Sequence, residues 1–121
     1  CKVSGNPLPE GMEGDTVLAQ GREIVSMLNG GEYQEVYDLL REDARETSSP
    51  EAIQAYMEER LDKAGAYKSE DEAMATGQKI KDTGEAYGTA VFYCKHEKKN
   101  VIYRVAYSVD MELMGIEVKV R

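Results

Sequence analysis

Acid–base catalysis in a chain of 121 residues needs a histidine or carboxylate held in an apolar pocket beside a hydrogen-bond donor. Few residues here qualify. The single histidine, His96, stands next to Glu97 and Lys98 at the end of an apolar run, where it reads as a solvated turn residue. Asp38 and Asp43 are the carboxylates within reach of a pocket mouth, with Tyr33, Tyr56 or Tyr103 as donors. Beside Arg41 and Arg45, however, they fit a surface charge pattern of small energetic worth. One histidine in a turn builds no Ser-His-acid triad. Cys and His are not at zinc spacing, and Glu58-Glu59 and Glu70-Asp71-Glu72 lack the calcium-loop pattern. Gly30-Gly31 reads as a helix stop and not as a phosphate cradle, because no strand leads into it. No catalytic residue, metal or cofactor is expected; the enzyme alternative is a small lyase or isomerase pairing an Asp with Tyr donors.

Binding chemistry has more to work with. Eight tyrosines stand against one phenylalanine, and tyrosine joins a large apolar body to a polar tip that wants a partner when buried. Tyr33, Tyr37, Tyr56, Tyr103 and Tyr107 fall on elements expected to face one another. With Phe92, Met114 and Ile116 they are the candidate lining of a pocket for a small apolar or mixed ligand, or for a protein partner. The simpler alternative is core filling with hydroxyls at the rim.

These side chains must be positioned by the C-terminal third of the chain, where three alternating runs predict antiparallel strands. Val101, Tyr103, Val105, Tyr107 and Val109 form the inner set of the central strand. An even-length loop around His96 to Asn100 sets Cys94 opposite Tyr103, Phe92 opposite Val105 and Ala90 opposite Tyr107. A one-residue slip would turn each set to the other face. After a turn at Asp110 to Leu113, the last strand sets Met114 opposite Val109, Ile116 opposite Tyr107, Val118 opposite Val105 and Val120 opposite Tyr103. The outer face carries charge around an apolar patch of Val91, Tyr93, Ile102 and Ala106, a candidate homodimer or interaction surface.

Three helices precede the strands. Asp15 is the expected N-cap of the first, whose Val17, Leu18, Gly21, Ile24, Val25 and Leu28 recur at helical spacing until Asn29-Gly30-Gly31. Tyr33, Val36, Tyr37, Leu39 and Leu40 mark the second. Ser49 as N-cap, Pro50 at the first helical position and Glu51 in the first turn open the third, and Gly65 closes it. Residues 66–82 read as a strand interrupted or bulged near Gly77. The expected fold is α+β: three helices on an antiparallel sheet of about four strands.

Fifteen Lys and Arg against 23 Asp and Glu give a net charge of −8 and a pI near 4.7. That balance argues against a phosphate-backbone partner, whose affinity comes from basic charge, so no nucleic-acid partner is expected. No apolar run approaches the roughly 20 residues of a membrane helix. Residues 1–15 contain two of the prolines and lack apolar periodicity, which predicts a flexible tether before a domain at 16–121. A chain beginning at cysteine and continuing into such a segment resembles a mature bacterial lipoprotein, implying acylation of Cys1, membrane contact through that anchor alone, and an extracytoplasmic place in the cell envelope.

The stretches LNGGEYQEVYDLL (Leu28 to Leu40), SPEAIQAYMEERLDKAGAY (Ser49 to Tyr67) and VDMELMGIEV (Val109 to Val118) resemble the bacterial domain of unknown function 3887. The order of elements is similar to the nuclear transport factor 2-like superfamily, a cone with a pocket between helices and a curved sheet. The resemblance implies a fold and an extracytoplasmic setting; its motifs are structural and name no reaction.

Overall fold

The structure, a computed structural model, describes residues 8–121. Four helices, α1 (Gly14–Asn29), α2 (Tyr33–Leu39), α3 (Glu42–Arg45) and α4 (Pro50–Ala64), precede four strands, β1 (Tyr67–Lys79), β2 (Ala86–His96), β3 (Asn100–Ser108) and β4 (Leu113–Val120). The strands form one open antiparallel sheet in the order β1-β2-β3-β4. The helices pack on one face of it.

The apolar stripe of α1 puts Val17, Gly21, Ile24, Val25 and Leu28 against the sheet. At Gly21 the approach is close: an added Cβ would stand 2.8 Å from Phe92 Cε2 and 2.9 Å from Ala90 Cβ, so only glycine fits. Glu13, not Asp15, occupies the N-cap of α1 and makes no capping bond, while Asp15 lies in the first turn, where a negative charge suits the helix dipole. On α4 the expected cap forms, Ser49 Oγ accepting from Ala52 N at 3.0 Å. The single turn of α3 adds a fourth helix to the three expected. It is too short to show a stripe, and the Arg41 fork on Asp43, at 2.9 and 2.8 Å, pins its first turn.

The inner face holds as expected, but each hairpin is shifted by two residues. Phe92 pairs with Tyr103, Cys94 with Val101 and Ala90 with Val105. Val118 pairs with Tyr103, Ile116 with Val105 and Val120 with Val101. A two-residue shift preserves the face. Its cause at β2–β3 is the helix end: Lys98 N donates to Ala64 O (2.7 Å) and Glu97 N to Ala66 O (2.9 Å), fixing the turn one step earlier than strand patterning suggests. At β3–β4, Ser108 Oγ accepts from Asp110 N (3.3 Å) and Glu112 N (3.1 Å), closing the turn directly after Ser108. Val109 leaves the strand and is exposed. An irregularity at Ala106/Tyr107 then pairs Tyr107 with Leu113 in place of Met114, so Leu113 is buried and Met114 only half-buried.

β1 is continuous through Gly77; its irregularities lie at Tyr67/Ser69 and Glu70/Glu72, nearer its start than expected. The chain joins the domain earlier than a boundary at Asp15. Met12 is buried, and both Leu8 and Met12 reach the space a Cβ at Gly88 would need. Leu8 and Met12 therefore do not belong to a tether, and residues 1–7, Cys1 among them, lie outside the described residues.

Candidate functional site

Where α2, α3 and α4 meet β4, a hollow of about 300 Å³ remains open. Its wall is Val36, Leu40, Ala44, Thr47, Ser48, Ala52, Ile53, Tyr56, Met114, Gly115 and Ile116. The stripes of α2 and α4 send Val36, Leu40 and Ile53 inward, while Thr47, Ser48 and Tyr56 supply hydroxyls. No carboxylate, histidine or cysteine belongs to this lining. The larger depression, about 1110 Å³, is a wide trough at the end of α4 bordered by Glu58, Glu59 and Asp62. The hollow is apolar but for its hydroxyls, whereas the trough mixes apolar side chains with charged ones, and a mostly apolar lining with few polar groups is what holds a ligand.

Of the eight expected pocket residues, Tyr56, Met114 and Ile116 line the hollow. Phe92 and Tyr103 are filled core. Tyr107 faces a separate recess of about 100 Å³ beside Glu23 and Leu39. Tyr37 donates to Arg45 O at 3.3 Å, and Tyr33 packs half-buried against the core. The tyrosines therefore do not share one chamber. Thr47, Ser48, Ala52 and Gly115 carry no signal in the sequence; Val36, Leu40 and Ile53 were legible as helix stripes, though not as a lining.

His96 corrects the sequence reading most plainly. It is 5 % exposed and not a solvated turn residue. Its Nδ1 lies 2.8 Å from Gly65 O and its Nε2 2.8 Å from Tyr103 Oη. A carbonyl can only accept, so Nδ1 carries a proton, and in the neutral ring Nε2 then accepts from the Tyr103 hydroxyl. That hydroxyl accepts in turn from Asn29 Nδ2 at 3.2 Å, and Asn29 Nδ2 also donates to Val25 O at 2.9 Å. This buried line ties the ends of α1 and α4 to β2 and β3. Both ring nitrogens are engaged and Tyr103 is fully buried, so a ligand in the hollow meets no base here.

The carboxylates required by the lyase or isomerase alternative point outward. Asp43 is exposed, and the Arg41 guanidinium holds its carboxyl below the ordinary range, the opposite of the raised value that alternative needs. Asp38 is exposed and accepts from Gln34 at 3.0 Å. Among the described residues, no three His, Cys, Asp or Glu side chains are placed to hold a metal ion, and no helix is long and apolar enough to cross a membrane.

Burial acts on the acids of the core. It pushes the Cys94 thiol up to about 11, and it raises the Tyr103 and Tyr107 hydroxyls above their ordinary range, Tyr107 further through Glu23. Each folded-state value is raised, so the stabilisation is full below the unfolded value and is lost as pH rises through the folded one. For Cys94 that window runs from 9.0 to about 11. The melting temperature is expected to hold at pH 8 and fall steeply across this window, with Cys94→Ala falling less. A flat profile to pH 11 would contradict the burial of all three groups.

The outer face carries Val91, Tyr93, Ile102 and Ala106 as the alternation predicts, Tyr93 pairing with Ile102 and Val91 with Arg104. Val91 and Ile102 are nonetheless buried, each 6 % exposed, and an Arg104–Glu117 pair at 3.3 Å joins β3 to β4 beside them.

A family model described as "Protein of unknown function (DUF3887)" matches residues 21–116. No curated protein matches the chain. Among solved structures, the chain is similar to the NMR structure of a protein from Ruminococcus gnavus ATCC 29149, with 29% identity, 93% of this chain and 96% of that chain covered, and a TM-score of 0.75.

Proposed function

The chain belongs to the DUF3887 family, and from that premise we propose that it is a non-catalytic binding domain whose ligand or partner seats an apolar group in the hollow between α2, α3, α4 and β4. The observation that carries this reading is the lining: apolar side chains with three hydroxyls and no carboxylate or imidazole. A site of that kind favours burial of an apolar group at roughly 25 cal/mol per Å² and offers nothing to move a proton. We read the architecture as a nuclear transport factor 2-like cone. The strand irregularities in β1 and at Ala106/Tyr107 support this, since such irregularities bend a sheet.

The neutral fluorophore phenylnaphthylamine tests the hollow. It is expected to bind the native domain saturably, and Ala52→Trp, which fills the hollow from α4, to bind it at least about tenfold more weakly. Equal binding by a folded Ala52→Trp variant would place the fluorophore elsewhere and end the reading.

A second reading is self-association through the outer patch of Val91, Tyr93, Ile102 and Ala106, for which half-buried Tyr93, Ala106 and the Met74 beside Val91 offer the surface, Val91 and Ile102 being only 6 % exposed. A dimer in sedimentation at micromolar concentration, lost in Tyr93→Lys, is its expected outcome. A monomer throughout would refute it.

A further inference from the structure

The free edge of β4 adds a polar requirement to the hollow. Val118 N donates to Tyr56 Oη at 3.0 Å, and Val118 O accepts from Arg60 Nε at 2.9 Å. Both backbone groups of Val118 therefore point away from β3, its partner on the other side. Backbone polar groups alternate along an antiparallel strand, so residues two apart point the same way. Arg121 N donating to Asn100 O at 2.8 Å confirms the phase, because odd-numbered residues here face β3. Hence the N–H and C=O of Ile116 also point out of the sheet.

On either side the edge is closed. Tyr56 and Arg60 hold Val118, and Arg41 N donates to Leu113 O at 2.7 Å. Between these closures Ile116 has no hydrogen-bond partner for either group among the described residues. Ile116 is also part of the hollow's wall, beside Met114 and Gly115. One unpaired amide donor and acceptor thus stand next to an apolar space of about 300 Å³.

We propose that the occupant of the hollow is a short peptide segment that presents one backbone amide unit to Ile116 and one large apolar side chain to the space between α2, α4 and β4. The proposal rests on the reading of the hollow as a binding site and names its ligand. A hydrocarbon alone would cover Ile116 N–H and C=O without pairing them, which costs the desolvation of both groups. A peptide residue supplies both complements at strand spacing, which is how extended segments add to a sheet edge. The closures at Leu113 and Val118 limit the addition to a single residue and forbid a full strand. The volume agrees, lying at the bottom of the roughly 300–1,000 Å³ range of small-molecule sites.

Amide proton–nitrogen correlation spectra of the wild-type domain test this with three probes. N-acetyl-leucine N-methylamide is expected to shift Ile116, Ala52 and Ile53 saturably. Isoamyl alcohol, the side chain without the amide, is expected to bind at least about tenfold more weakly. The acetylglycine analogue, the amide without the side chain, is expected to leave the hollow unshifted. Equal binding of isoamyl alcohol and the leucine diamide would overturn the proposal while leaving the hollow an apolar site; no shift with any probe would overturn both readings. Ile116→Pro removes the outward N–H at an edge position where proline is tolerated, and should lose the preference for the diamide that Ile116→Val keeps. The probe comparison needs no variant, so it decides the matter even if Ile116→Pro does not fold.

Discussion

Tyr103→Ala is expected to lower the unfolding free energy by about 3–5 kcal/mol, the usual cost of removing a large core side chain. Tyr103 is fully buried in the middle of β3, pairs with Phe92 on one side and Val118 on the other, and stacks on His96 with ring centroids 5.8 Å apart. Tyr103→Phe separates packing from hydrogen bonding. It keeps the ring but leaves His96 Nε2 without its donor and Asn29 Nδ2 with Val25 O as its one remaining acceptor, a loss of about 1–3 kcal/mol. Urea denaturation measures both, with the midpoint falling and the slope unchanged. Against a total stability of about 5–15 kcal/mol, the alanine variant's loss takes from about a fifth to the whole of the domain's margin. If Tyr103→Phe costs as much as Tyr103→Ala, the ring contributes nothing and the packing account fails. If Tyr103→Phe costs nothing, the line from Gly65 to Asn29 is not a stabilising one.

The same residues mark what could be read from the sequence. Alternation places Phe92, Cys94, Tyr103, Val105 and Val118 on one face, because burial of one face is a local property of every second residue. Ser49, Pro50 and Gly65 bound α4 for equally local reasons: a hydroxyl for a free amide, a fixed φ at the first turn, a positive φ at the last. Register, by contrast, was missed by two residues at each hairpin. Its determinants are distant, the end of α4 for the β2–β3 turn and the Ser108 hydroxyl with the Ala106/Tyr107 irregularity for the β3–β4 turn.

Of the site, Tyr56, Met114 and Ile116 were legible because they are apolar and face the helices. The hydroxyls of Thr47 and Ser48 were not, since a loop between two helices has no period to betray which way a side chain turns. His96 shows the same limit from the other side. Charged neighbours at Glu97, Lys98 and Lys99 suggest water, yet the turn is bound to Ala64 and Ala66. A histidine one position before that turn is carried under the helix end whatever the polarity of its neighbours.

Gly65→Ala should expose this joint directly, at a cost of about 2–4 kcal/mol, the sum of backbone strain and overpacking. Gly65 has φ 85° and ψ −168°, a region that is essentially glycine's alone. An added Cβ would also stand 2.8 Å from Glu97 Cβ. The neighbourhood cannot give way cheaply, because Gly65 O accepts from His96, Ala66 N donates to Glu97 Oε1 at 3.1 Å, and Lys98 N is bound to Ala64 O. Gly31→Ala is the control: its φ of 78° is also positive, but nothing lies within 4 Å of the added carbon. It should therefore cost only the left-handed backbone, about 1–2 kcal/mol. Hydrogen exchange locates the difference, with Glu97 and Lys98 amides losing protection in Gly65→Ala and keeping it in Gly31→Ala. Equal costs with unchanged protection would mean that α4 is not fastened to the hairpin at this point, and the hollow that α4 lines would then have to be held open by the contacts of Tyr56 and Arg60 with Val118 alone.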